Sequence, residues 1–167
     1  MNPSSRNRVL ALLLSAGVTY SLSQTLILPT MPALVSSLGA SPLAVSWLLT
    51  AFLFSASVAT PLIGRLGDLL GRSHVLAWTM AAFCAGSLLC AVGGTLGLLV
   101  AGRVLQGVAG GVFPLAYGIM RDMWPAETRM RAIGMVSISL GAGAALGPFV
   151  AGRSSTKQRQ PRSSGWR

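Results

Sequence analysis

Between Arg72 and Arg121 the chain carries one charged side chain, Arg103. Gln106, Gly107 and Gly110 follow it at spacings of 3, 4 and 7 residues, which sets all four on one face of a helix. Arg103 falls about eight residues inside an apolar run, and at about 1.5 Å per residue it lies roughly 12 Å from the end of that run. A guanidinium immersed there costs about 2.5–3.5 kcal/mol on insertion scales, so it must face neighbouring helices or an aqueous cavity. The chemistry open to a charge held there is electrostatic. Two plainer readings stand beside that one, an ion pair that only holds helices together and a span that begins further along the chain.

A second group of residues falls where a chain leaving one apolar run must reverse, in Gly64-Arg-Leu66-Gly-Asp68-Leu-Leu-Gly71-Arg72. Gly64, Gly67 and Gly71 permit tight turns and close backbone approach. Asp68 can accept from helix N-terminal amides or pair with Arg65 or Arg72. The alternative is a solvated turn with an incidental ion pair. In a third group, Gly143 and Gly147 form a small-xxx-small face, Pro148 removes a helix hydrogen bond, and Gly152 follows. Generic helix packing explains such a face equally well.

These groups need elements to hold them, and composition says which. Of 167 residues, 52% are hydrophobic and only 10% charged, whereas a soluble domain carries about 25% charged. No charged residue occurs between Arg8 and Arg65, between Arg72 and Arg103, or between Arg131 and Arg153. Crossing the hydrocarbon takes about 20 apolar residues, and each gap holds one or two such segments. The pattern predicts an all-α membrane protein with about five transmembrane helices, over residues 9–28, 44–63, 75–92, 96–118 and 132–151. Residues 1–8 precede them. Pro29, Pro32, Gly39, Ser41 and Pro42 separate the first two, and Gly93-Gly94-Thr95 turns the third into the fourth.

Arg6, Arg8, Arg65, Arg72, Arg121, Arg129 and Arg131 all fall on one side of these spans, which predicts a cell-membrane, multi-pass protein with a cytoplasmic N-terminus. Trp47, Trp78 and Trp124 fall near span ends, suited to the headgroup layer. The formal charge of +10 does not form a stripe on one helix face, which argues against nucleic acid. Residues 153–167 carry five basic and no acidic residues on what would be the outer face. That break in the rule predicts a frameshifted or artificial end, with the authentic reading stopping near Gly152. Cys84 and Cys90 lie about 240° apart on one helix and cannot bridge. Acid, base and nucleophile do not converge anywhere, so no enzyme, cofactor or metal is expected.

The loop residues Gly64, Leu66, Asp68, Gly71 and Arg72 resemble the Gly-x-Leu-Ala-Asp-Arg-x-Gly-Arg-Lys signature of the major facilitator superfamily; Gly67, Leu69 and Ser73 depart from it. Arg103, Gln106 and Gly107 match all fixed positions of Arg-x-x-Gln-Gly in that family's fourth helix. Gly143, Gly147, Pro148 and Gly152 resemble Gly-x-x-x-Gly-Pro-x-x-Gly-Gly of its drug/proton antiporter branch, with Ala151 the one departure. The three occur in family order across residues 9–152.

The resemblance implies part of the N-terminal half of a transporter of about 12 or 14 helices with a midplane site. It also implies a conformational latch at Asp68 and its loop, proton coupling at Arg103, Gln106 and Gly107, and export of small drug-like compounds. Gln24, in a segment similar to the family's first helix, is a candidate substrate contact. It stands where relatives often have an aspartate nearby, and an amide does not titrate near neutral pH. The expected partners are the lipid bilayer, a small-molecule substrate, protons and the missing C-terminal transporter helices. Alone, this chain is expected not to transport. The rival expectation is a helical membrane protein or remnant without transport activity.

Overall fold

The structure is a computed structural model that describes residues 3–156; the side chains of residues 3–5 and of most residues from 140 onward lie outside the description. Every regular element in it is helical: α1 (Pro3–Thr25), α2 (Ile27–Leu38), α3 (Pro42–Leu70), α4 (Arg72–Val92), α5 (Leu96–Val108), a 3-10 turn (Ala109–Gly111), α6 (Val112–Met123) and α7 (Ala126–Thr156). These form five rods, because α2 continues α1 after a 47° bend and α6 continues α5. By length and apolar content α3, α4 and the run Leu96–Met123 can each cross a membrane, and the bent pair makes a fourth. The expected fifth span, 132–151, lies within α7.

Residues 27–38 correct the expectation of a non-helical connection. Leu26 alone interrupts the helix, so Pro29 falls in the first turn of α2, where its missing N–H has no intrahelical partner to lose. Pro32 removes one further bond, and the Thr30 hydroxyl donates to the Ile27 carbonyl at 2.8 Å. Gly39, at φ 58°, ends α2 in the left-handed conformation that a side chain disfavours. Ser41 then caps α3, accepting from the Ala44 N–H at 3.2 Å, with Pro42 in the first turn.

The second span also runs further than expected. Helix α3 continues through Gly64, Gly67 and Asp68 to Leu70, and Gly71, at φ 93°, is the one residue between it and α4. The predicted loop is thus two helical turns and a single hinge residue. At about 1.5 Å per residue the 29 residues of α3 exceed a hydrocarbon thickness of about 30 Å, so the helix is long enough to reach past the hydrocarbon. Pro114, which has no N–H for the Gly110 carbonyl, accounts for the 3-10 tightening at Ala109–Gly111.

Burial is arranged as lipid solvent requires. Leu43, Trp47, Phe54, Leu69, Trp78 and Val92 are exposed, while Ser21, Thr79, Gln106 and Ser139 are buried. Hydroxyls inside the bundle bond to the turn before them, as Thr79 does to the Val75 carbonyl at 2.7 Å. Because lipid removes the hydrophobic drive between helices, close approach comes from small residues: a Cβ on Gly86 would stand 2.6 Å from the Gly102 carbonyl where α4 crosses α5. Trp47 and Trp78 face outward, but Trp124 is buried with Leu13, Ala116 and Met120, a correction to its expected place among the headgroups.

Candidate functional site

The arginine that opens α4 is held from three directions. Arg72 donates from Nη2 to Asp68 Oδ1 at 2.6 Å and from Nε to the same oxygen at 3.1 Å. Its Nη1 donates to the Gly118 carbonyl at 3.0 Å and also to Asp122 Oδ2. One guanidinium therefore ties the end of α3, the start of α4 and the last turns of α6. Gly118 and Asp122, four residues apart, present themselves from one face of α6. A Cβ at Gly118 would run into the Arg72 side chain, and one at Gly67 into Leu115, so the two glycines let α3 and α6 close around it. Only 17% of the Arg72 side chain is exposed, against 63% for Asp68 and 57% for Asp122. The cation is clamped while both anions keep their water.

Of the residues the sequence singled out here, Asp68 and Arg72 meet directly, Gly67 and Gly71 shape the approach, and Gly64 lies against Pro114. Leu66 is exposed. Asp122 and the Gly118 carbonyl were missed. The available signal was that Asp122 is one of only three acidic residues in the chain, with glycine four positions earlier.

The second constellation surrounds α5. Arg103, Gln106 and Gly107 share one face, and that face meets three different helices. Arg103 Nη1 donates to the Ser23 carbonyl of α1 at 3.3 Å. Gln106 Nε2 donates to Ser87 Oγ of α4 at 3.0 Å, and its Oε1 is buried without a partner among the described residues. Gly107 lies against α3, where an added Cβ would stand 2.5 Å from the Phe52 carbonyl. The Ser23 contact explains how the charge is tolerated. In an unbroken helix the Ile27 N–H would bond the Ser23 carbonyl; the break at Leu26 releases that acceptor, and Arg103 supplies the donor. The freed carbonyl gains a donor and the guanidinium an acceptor inside the bundle.

Among the described residues Arg103 faces no carboxylate; Asp68, Asp122 and Glu127 all lie toward the opposite end of the chain's spans. Gln24 is half-buried in the last turn of α1, next to Ser23, and makes no hydrogen bond among the described residues. Gly143, Gly147, Pro148 and Gly152 lie in the helical run of α7, and their surroundings fall outside the described residues. Two apolar clefts open on the flanks, about 940 Å³ between α1 and α4 and about 730 Å³ between α3 and α5. Neither is lined by Arg103 or Gln24.

Comparison with known proteins bears on these two constellations. Residues 13–156 match the family model of the Major Facilitator Superfamily. An uncharacterized MFS-type transporter of Mycobacterium tuberculosis is 33% identical over 91% of this chain and 22% of its own length. The efflux pump dotC of Dothistroma septosporum is 34% identical over 90% of the chain and 26% of its own length. The multidrug transporter protein MdtP of Bacillus subtilis is 31% identical over 89% and 28%. The chain thus spans about a quarter of the length of the curated relatives it matches.

Proposed function

Because this chain belongs to the Major Facilitator Superfamily and is a multi-pass membrane protein, we propose that it is the leading part of a proton-coupled exporter of small, largely apolar compounds. The reading places it in the cell membrane with its N-terminus in the cytoplasm, in keeping with the arginines gathered at one end of the spans. The observation that carries it is Arg103, a cation deep in the bundle whose hydrogen bond to Ser23 fastens the α1 break to α5. Two relatives named as an efflux pump and a multidrug transporter supply the direction of transport.

On this reading the two arginines divide the work. Arg103 gives the interior a fixed positive charge, which lowers the proton affinity of any titrating group brought near it and so links proton release to conformation. Gln106 and Gly107 position it by tying α5 to α4 and α3. The Asp68–Arg72–Asp122 cluster acts as a latch at the cytoplasmic end, made in one access state and broken in the other. Gly143, Gly147, Pro148 and Gly152 set the packing of α7, and Gln24 reaches the substrate. The partners are lipid, substrate, protons and the remaining transporter helices, and this chain by itself does not transport.

The test joins residues 1–152 to the remaining helices of the Bacillus relative and reconstitutes the hybrid in liposomes beside the chain alone. The hybrid is expected to expel a lipophilic fluorescent dye under a proton gradient, Arg103→Ala to abolish that efflux, and the chain alone to show none. Efflux by the hybrid that ignores Arg103→Ala would refute the coupling role. Gradient-driven efflux by the chain alone would refute the claim that it cannot transport.

A further inference from the structure

Arg72 commits four of its five N–H donors to partners, but two other arginines at the same end of the bundle are largely uncommitted. A cleft of about 360 Å³ opens where α3, α6 and α7 meet, lined by Asp68, Arg72, Arg121 and Arg129, with Pro114 and Ile133 on its apolar side. Arg121 is exposed and makes no ion pair or hydrogen bond among the described residues. Arg129 donates from Nη2 to the Trp124 carbonyl at 3.3 Å, and its buried Nε–H has no acceptor among the described residues. A guanidinium N–H left in that state is costly, and the remaining N–H groups of Arg129 are the ones free to turn toward the cleft.

The charges around the cleft favour an anion. Three arginines in the lining meet one carboxylate, Asp68, and both Asp68 and Asp122 are already turned to Arg72. Glu127, in the first turn of α7, pairs with no arginine among the described residues. Counting Asp122 with the lining still leaves an excess of positive charge. The cleft lies at the arginine-rich end of the bundle, beside the ends of two helical runs long and apolar enough to cross a membrane, with polar groups on one side and apolar ones on the other.

We propose that this cleft binds the phosphate of an anionic phospholipid headgroup, with Arg121 and Arg129 as its ligands. Planar guanidinium forks match the oxygens of a phosphate, and basic pockets between helices at a membrane face recruit anionic lipid. Inorganic phosphate offers the same oxygens, and the membrane position selects the lipid as the source.

The experiment purifies the chain from bilayers of phosphatidylcholine doped with phosphatidylglycerol and reads the co-purified lipid by native mass spectrometry. Phosphatidylglycerol is expected to be enriched over its share of the bilayer. Arg121→Gln and Arg129→Gln should each reduce the enrichment about fivefold, the factor to which about 1 kcal/mol per basic residue converts. Arg131→Gln, exposed and outside the cleft, should leave it unchanged. Arg121→Gln is secure against misfolding because that side chain is exposed and unpaired. A parallel melt in phosphatidylcholine alone adds inorganic phosphate: a stabilisation that the two cleft substitutions remove would support the phosphate chemistry and move its source from lipid to solution. No enrichment and no such stabilisation, or an equal loss with Arg131→Gln, would overturn the site.

Discussion

Arg72 and Arg103 are the same side chain in two solvents, and the molecule treats them differently. At the membrane surface Arg72 gathers two carboxylates and a carbonyl, because water still screens the anions and lets them approach at little desolvation cost. In the bundle interior Arg103 takes one backbone carbonyl and no carboxylate among the described residues. A carboxylate there would have to be stripped of water along with the guanidinium, and that penalty can exceed the attraction gained. A broken helix supplies a partial negative charge already desolvated by folding. The surface pair is therefore suited to being made and unmade, whereas the interior contact is suited to holding a charge in place.

The difference can be broken most severely at Gly107. Leucine there would drive a side chain into the Phe52 carbonyl and push α5 away from α3. Overpacking of that kind costs about 3 kcal/mol, and thermal unfolding in detergent should show the bundle losing its cooperative transition. A transition that survived within a few degrees of the parent would mean that α5 can slide, and that Arg103 is not fixed by its own helix. Arg103→Met is the next step down and separates two energies. Removing the charge makes membrane insertion easier by about 2.5–3.5 kcal/mol, measured as the inserted fraction of the isolated segment. The folded bundle should nevertheless lose about 1–2 kcal/mol, because the Ser23 carbonyl is left without a donor. If Arg103→Met stabilised the fold as well, the charge would be a burden kept only for transport.

How much of this was readable beforehand follows from how local each feature is. The Asp68–Arg72 pair was within reach, since residues four apart meet on a helix face or across a short turn. That Gly64 and Gly67 are helical was not, because a glycine placed for close packing, as Gly67 is against Leu115, looks the same in sequence as one placed for a turn. Pro29 misled for a related reason: it starts a helix as readily as it ends one. Asp122 and Ser23 stayed hidden because their roles depend on which distant helices fold beside them. The one-face spacing of Arg103, Gln106 and Gly107 was correct as geometry, yet it could not say that this face would touch α1, α4 and α3 separately.

The smallest effects lie at the surface cluster, and salt distinguishes them from the interior. Arg72→Met should cost the fold about 1 kcal/mol or less, and the gap to the parent should shrink as ionic strength rises past the point where the screening length is about 3 Å. The Arg103→Met deficit should not move with salt, since its contact is shielded by protein and lipid. Within the cluster, Asp68→Asn and Asp122→Asn share one guanidinium, so their double variant should lose less than the two single losses combined, by a few tenths of a kcal/mol or more in a mutant cycle read from thermal melts. Strict additivity would mean that Arg72 serves the two carboxylates independently. The cluster would then be two separate surface contacts, and its reading as a single latch joining α3, α4 and α6 would fail.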